Sequence, residues 1–144
     1  MITNIHSLNE KIIGYLNRMQ FVILTICRYW LAKIFFLSGL TKLSNWDQTL
    51  FLFEYEYAVP FLPVNLAAFL ATTAEITMPI LLILGLFTRY AAFTLLIMTS
   101  IIQFVIIQHD QHLYWMLIMA VIIVFGAGKF SLDRLISKQH NISV

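Results

Sequence analysis

Residues 64–86 read VNLAAFLATTAEITMPILLILGL, an apolar run with one carboxylate, Glu75, near its middle. At about 1.5 Å per residue, a helix of this length spans roughly 34 Å, against a hydrocarbon core of about 30 Å. The run therefore predicts a transmembrane helix. A carboxylate at that depth costs about 2.5–3.5 kcal/mol on insertion scales and normally turns toward a partner inside the protein. Which group pairs with Glu75 is the question on which the rest of the chain bears. Pro79, four residues further on, lacks the N–H that would bond the Glu75 carbonyl, so a bend is expected beside the carboxylate.

The chain around this run is built from similar material. It is 60% hydrophobic and 11% charged over 144 residues, with a mean hydropathy of +0.85, which sets it apart from soluble domains. That length allows about four crossings, expected at residues 21–43, 64–86, 90–107 and 113–130, and no separate soluble domain. The expected fold class is all-α: an integral membrane four-helix bundle over residues 21–130. The fourth span reaches Phe130 only if Gly126 and Gly128 stay helical. Residues 1–20, with Ile5, Leu8, Ile12, Ile13 and Leu16 at helical spacing, suggest an interfacial amphipathic helix, and residues 131–144 a polar tail. No cleavable signal peptide is expected, because residues 1–20 lack an apolar core with a small-residue cleavage site. The connection 44–63 carries Trp46, Tyr55 and Tyr57, aromatic groups suited to the headgroup level. It is expected to lie at the interface or re-enter it, as an aromatic belt or as a lid over a cavity.

Charge placement sets the orientation. Lys11, Arg18, Arg89, Lys129, Arg134 and Lys138 fall on one side of the predicted spans, and Asp47, Glu54, Glu56 and Asp110 on the other. The positive-inside rule then puts both termini in the cytoplasm. A net charge of +2 without a basic stripe argues against nucleic-acid binding. Cys27 is the single cysteine, so the chain cannot run a dithiol–disulfide cycle of its own.

The first span carries three cations, Arg28, Lys33 and Lys42. At about 100° per residue, Arg28, Ala32, Phe35, Gly39 and Lys42 share one stripe, whose small residues allow close helix approach. Counted from the cytoplasmic ends, Arg28 lies about 10 Å deep, Glu75 about 16 Å and Lys33 about 18 Å. Arg28 is therefore the expected partner of Glu75, its planar fork matching a carboxylate, with Lys33 as a competing or additional partner. Gln103 in the third span is expected to make an interhelical hydrogen bond or a ligand contact. His109 and His112 flank Asp110 in a polar turn; two histidines without further ligands are only weak metal candidates. No histidine lies within a span, so haem is not expected.

Three stretches, RYWLAKIFFLSGLTKL, YAVPFLPVNLAAFLATTAEITMPILLILGLFTRYAAFTLLIMT and FGAGKFSLDRLI, occur in an order that resembles the DoxX family of small four-helix bacterial membrane proteins. The resemblance covers roughly residues 28–136. Its polar positions correspond here to Arg28, Lys42, Glu75, Arg89 and Asp133, while Lys33 falls where an apolar residue is expected. The family takes its name from a subunit resembling part of a thiosulfate–quinone oxidoreductase. The resemblance implies a bacterial inner-membrane protein, associated with a soluble or membrane redox partner, and a quinone as a candidate cofactor. Two readings of the buried site, Arg28 and Glu75 with Lys42, follow. One is a subunit or accessory of a quinone- or sulfur-linked redox system. The other is a non-enzymatic permease or scaffold whose ion pair only fixes helix packing.

Overall fold

The computed structural model describes residues 2–57, 62–106, 108–129 and 131–140, and of these the side chains of residues 9–57, 62–106, 108–129 and 131–138. The described residues are helical with short links and contain no strand. Helix α1 spans Ile2–Ser44, α2 Trp46–Leu52, α3 Val64–Leu84, α4 Thr88–Ile101, α5 Asp110–Phe125 and α6 Leu132–His140. A π-helical turn at Phe53–Tyr57 extends α2, and another at Ile102–Ile106 extends α4. Three helices are long and apolar enough to cross a membrane, over Asn9–Ser44, Val64–Leu84 and Thr88–Ile106, and α5 is a shorter apolar helix.

The amphipathic stretch expected at residues 1–20 is the beginning of α1 itself. No cap or breaker stands between the two, and Ile12, Ile13 and Leu16 are exposed where the helix runs past the bundle. Ile5, Leu8, residues 58–61, Ile107, Phe130 and residues 141–144 lie outside the described side chains. The main packing is α1 on α3, α4 on α5 and α3 on α4. Leu31, Ala32 and Phe35 of α1 meet Leu82 of α3, Ala91, Ala92 and Leu95 of α4, and Met119 and Ile122 of α5 in one core.

Each helix end near Arg28 has a chemical cause. Helix α3 stops at Gly85, whose φ of +66° is a left-handed cap that glycine adopts without a Cβ clash. Helix α5 stops at Gly126, with φ of +76°, so the expected continuation of the fourth span through the glycines to Phe130 does not occur. Asp133, at the start of α6, holds the first turn of α4: its carboxylate accepts from the backbone N–H groups of Phe87 at 2.7 Å and Thr88 at 3.0 Å. Its own N–H donates to the Gly85 carbonyl at 2.9 Å.

Arg28 closes this end of the molecule. Buried at 1% exposure, it donates from Nε to the Leu82 carbonyl at 2.9 Å and from Nη2 to the Ile83 carbonyl at 3.1 Å. Its Nη1 donates to the Ala127 carbonyl. The last turn of an α-helix leaves its carbonyls without intrahelical donors and carries the negative end of the helix dipole. One guanidinium thus satisfies the end of α3 and ties it to the residues just after α5. A Cβ at residue 85 would lie 2.9 Å from Arg28 Nη2 and 2.6 Å from Ser131 Cβ, so glycine is required for the close approach as well as for the turn.

Replacing Arg28 by Leu leaves the Ile83 and Ala127 carbonyls without these donors, at about 1–3 kcal/mol each, and Leu82 with only the Gly85 N–H, so a loss of about 3 kcal/mol is expected. Asp133→Ala removes only a helix cap and should cost about 1 kcal/mol. Unfolding of the purified variants by titrated denaturing detergent measures both, and an Arg28→Leu variant as stable as the native chain would contradict this account.

Candidate functional site

The helix stripe of α1 is buried from Arg28 through Ala32, Phe35 and Gly39, and it ends on Lys42. Gly39 decides what Lys42 can reach. A Cβ there would lie 2.8 Å from Ile76 Cγ1 and 3.1 Å from both the carbonyl carbon and Cβ of Glu75, so α1 and α3 touch backbone to backbone at the Glu75 level. The Glu75 peptide is also where Pro79, buried within α3, leaves a carbonyl without its usual donor. Lys42 is one turn beyond this contact, which brings its ammonium onto the carboxylate.

Lys42 Nζ stands 2.6 Å from Glu75 Oε2 and 2.9 Å from Oε1, and donates to Ser38 Oγ at 2.8 Å. The side chains are 13% and 5% exposed, so the pair is largely withdrawn from solvent. It replaces the expected Arg28–Glu75 pair. Arg28 instead bonds carbonyls at residues 82 and 83, seven or more residues and roughly 10 Å further along α3. Lys33 is exposed on another face of α1 and takes no part, consistent with its angle of about 140° from Arg28.

Beside the pair lies a cavity of about 240 Å³, lined by Phe35, Ser38, Lys42, Tyr57, Glu75, Thr99, His109, His112 and Trp115, with Ile34 and Ile102. Its polar groups differ in what they have left to offer. An ammonium has three protons; one direction of Lys42 is taken by Ser38 and another by the Glu75 carboxylate, whose two oxygens lie too close together to occupy separate N–H bonds. A carboxylate has about four acceptor positions, so Glu75 keeps spare acceptor capacity. Thr94 and Ser100 return their hydroxyls to the carbonyls four residues back, at 3.0 and 2.7 Å. Thr99 does not: it is 2% exposed and its hydroxyl has no partner, a state shared among the described residues with Thr72 and Thr88, which lie outside this cavity.

Gln103 organises the histidines. Its Oε1 accepts from the backbone N–H of His109 at 2.9 Å and lies 3.0 Å from His112 Nδ1. The amide orientation is set by the His109 donor, so the His112 contact assigns the ring proton to Nδ1 and leaves Nε2 as an acceptor in the neutral form. His112 packs on Trp115 with centroids 5.3 Å apart, and Trp115 meets Phe35 edge to face at 5.6 Å. Among the described residues no group of three or more His, Cys, Asp or Glu is placed to hold a metal ion. The histidines belong to the cavity wall. Arg89 and Asp133 lie at the opposite end: Asp133 caps α4, and Arg89 is exposed with a single long contact, 3.4 Å, to the Val124 carbonyl.

Sequence reasoning missed Ser38, Thr99, Trp115 and the position of Tyr57 in this wall. Thr99 was findable, since it lies one turn before Gln103 on the same face. Tyr57 arrives through the π-helical turn of a connecting segment, a placement that helical periodicity does not encode.

Tyr57 is half-buried, and burial, then the carboxylates of Glu75 and Glu56, push its phenol above the ordinary value of 10.0. The neutral phenol is the favoured folded form. Stability linked to it is complete below pH 10 and falls as pH rises further, because the unfolded chain then releases the proton first. Comparing tyrosinate absorbance of the native chain and Tyr57→Phe across alkaline pH should show this tyrosine ionising later than exposed ones. For the ion pair, Lys42→Met or Glu75→Met alone should each destabilise by about 3–5 kcal/mol, whereas the double variant should lie much closer to the native chain, as measured by a double-mutant cycle in the detergent titration. Additive losses would mean the two groups do not interact.

Comparison with known proteins identifies the family. The family model for DoxX matches residues 23–108, which include Lys42, Glu75, Thr99 and Gln103. A Haemophilus influenzae protein, described only as an uncharacterized protein, is 33% identical over 133 residues, covering 83% of this chain and 86% of its own length. No solved structure matches the chain. With the family model spanning more than half of its residues, the chain belongs to the DoxX family.

Proposed function

We propose that this DoxX-family membrane protein is a subunit or accessory of a bacterial inner-membrane redox system, and that its Lys42–Glu75 cavity holds the oxygen-bearing head of a quinone- or quinol-type substrate. In this reading α1, α3, α4 and α5 all cross the membrane and both termini are cytoplasmic. Helix α5 is short for a crossing, about 24 Å, and local thinning accommodates it. The charge pattern supports the orientation: Arg89, Lys129 and Arg134 stand at the Arg28 end, and Glu54, Glu56 and Asp110 at the cavity end. The cavity then lies in the outer half of the bundle.

One observation carries the ligand class. Lys42 engages Ser38 and Glu75, Glu75 has acceptor capacity, and Thr99 has a buried, unmatched donor beside the same cavity. A simple anion would have to sit against the Glu75 carboxylate. A ligand bearing both a hydroxyl donor and an oxygen acceptor adds bonds without breaking any. A quinol has hydroxyls that both donate and accept, on a flat ring that suits walls made by Phe35 and Trp115; its quinone form keeps the acceptors. Cys27 cannot supply a dithiol couple, so electrons to or from the ligand are exchanged with a partner protein.

Titrating a short-chain ubiquinol into the protein in lipid nanodiscs tests this. A hydrogen bond to a charged group is worth about 1.5–3 kcal/mol, so Glu75→Gln should weaken binding by at least about tenfold, and Thr99→Val by several fold. Unchanged affinity in both variants would refute the site. Equal binding by Arg89→Gln, whose exposed head lies at the other end of the bundle, is the accompanying control.

A further inference from the structure

Tyr57 stands where three cavities meet. Besides the charged chamber, it lines a polar pocket of about 290 Å³ with Ser38, Thr41, Lys42, Asn45, Gln48 and Thr49. It also lines an apolar groove of about 280 Å³ between α3 and α4. Ala67, Leu70 and Ala71 form one bank of that groove, and Ile97, Met98 and Ile101 the other. Its only other hydroxyl, that of Thr94, is already bonded to the Tyr90 carbonyl, so the groove offers nothing polar to a guest. Leu70, Ile97 and Ile101 are exposed along its rim, on the outside of the bundle, where a membrane protein meets hydrocarbon.

The groove and the charged chamber share two wall residues, Tyr57 and Ile102. Both come from π-helical turns, Phe53–Tyr57 and Ile102–Ile106, which pack against each other. Such wide turns are uncommon and recur at functional sites, because the extra residue per turn re-aims a side chain. Here two of them form the thin partition between a hydrocarbon-facing groove and a buried ion pair.

We propose that the ligand of the Lys42–Glu75 chamber is a single-chain, membrane-borne amphiphile that reaches it from the bilayer, with its polar head at Glu75 and its hydrocarbon chain lying in the α3–α4 groove past Tyr57. The inference rests on the reading of the chamber as a ligand site and adds the route and the chain. The observation that favours it over entry from water is the matching sequence of surfaces: hydrocarbon, then an amphipathic phenol, then an ion pair. Tyr57 serves both sides, its ring presented to the chain and its hydroxyl available to the head. Little binding energy is expected from the chain itself, which leaves one hydrocarbon environment for another. The groove acts by shape.

The test uses two probes, decylubiquinol and its chainless parent quinol, with the full-length protein in nanodiscs. Ile97→Trp fills the groove from α4, away from the α1–α3 contact that holds the ion pair. It should weaken decylubiquinol by at least about tenfold while leaving the chainless quinol within about twofold of the native value. A decyl analogue with a photoreactive group on its chain should label α3 and α4 of the native protein at Leu70 or Met98, a readout that does not depend on a variant folding. Ile97→Trp affecting both probes equally or neither, or chain labelling elsewhere, would overturn the lateral route while leaving the chamber as a site approached from water. Failure of both probes to bind, or indifference of both to Glu75→Gln, would overturn the chamber reading and this proposal with it.

Discussion

The backbone contact between α1 and α3 at Gly39 is what the site depends on. Helices associating in hydrocarbon gain little from burying apolar surface, so they are held by close packing and by polar groups that have no better place to go. At Gly39 both terms act within one turn: the missing side chain lets the helices touch, and Lys42 then delivers its ammonium to the only carboxylate in the middle of α3. Any residue larger than glycine would have to displace Ile76 or the Glu75 backbone. Such a shift would lengthen a 2.6 Å ion pair whose charges are largely withdrawn from solvent.

Two cations on the same stripe divide the polar work of the bundle. Arg28 has a planar fork of donors, and the structure gives it carbonyls from the end of α3 and from Ala127 beyond α5. Those partners matter because the Ile83 and Ala127 carbonyls stand at or beyond helix ends, where the helix supplies no donor, while Leu82 also accepts from the Gly85 N–H. Lys42 is a point charge on a flexible stem, and it meets a charge rather than a set of backbone dipoles. The first arrangement fixes where helices stop. The second sits beside a cavity.

Much of this was legible in the sequence. The apolar runs located α3 and α4 to within a few residues, the angular stripe named the buried face of α1, and order of motifs named the family. The pairing of Glu75 was not legible, and the reason is instructive. Depth arithmetic treated the spans as straight rods counted from a common plane, so it set Arg28 and Glu75 about 6 Å apart along the bundle axis. In the structure Arg28 meets α3 at Leu82, and the Lys42 stem reaches inward to Glu75 from the opposite end. The stripe contained the correct partner; residue depth alone did not rank it. Periodicity also carried no information on where the α2 extension would bring Tyr57, or on the glycine φ that ends α5 at Phe125.

The distinction between a scaffold and a site turns on redundancy. A buried ion pair gains about as much from mutual attraction as it loses in desolvation, and apolar side chains of similar volume often serve stability equally well. If helix register were the only requirement, Arg28 and the Asp133 cap already supply it through bonds to backbone groups that must be satisfied in any case. The Lys42–Glu75 pair duplicates that function at the other end of the bundle, beside a cavity in which Thr99 withholds a donor that neighbouring hydroxyls return to their own helix. An unmatched donor next to a carboxylate with spare acceptor capacity is a poor way to close a scaffold. In the proposed reading, the missing partner is a ligand.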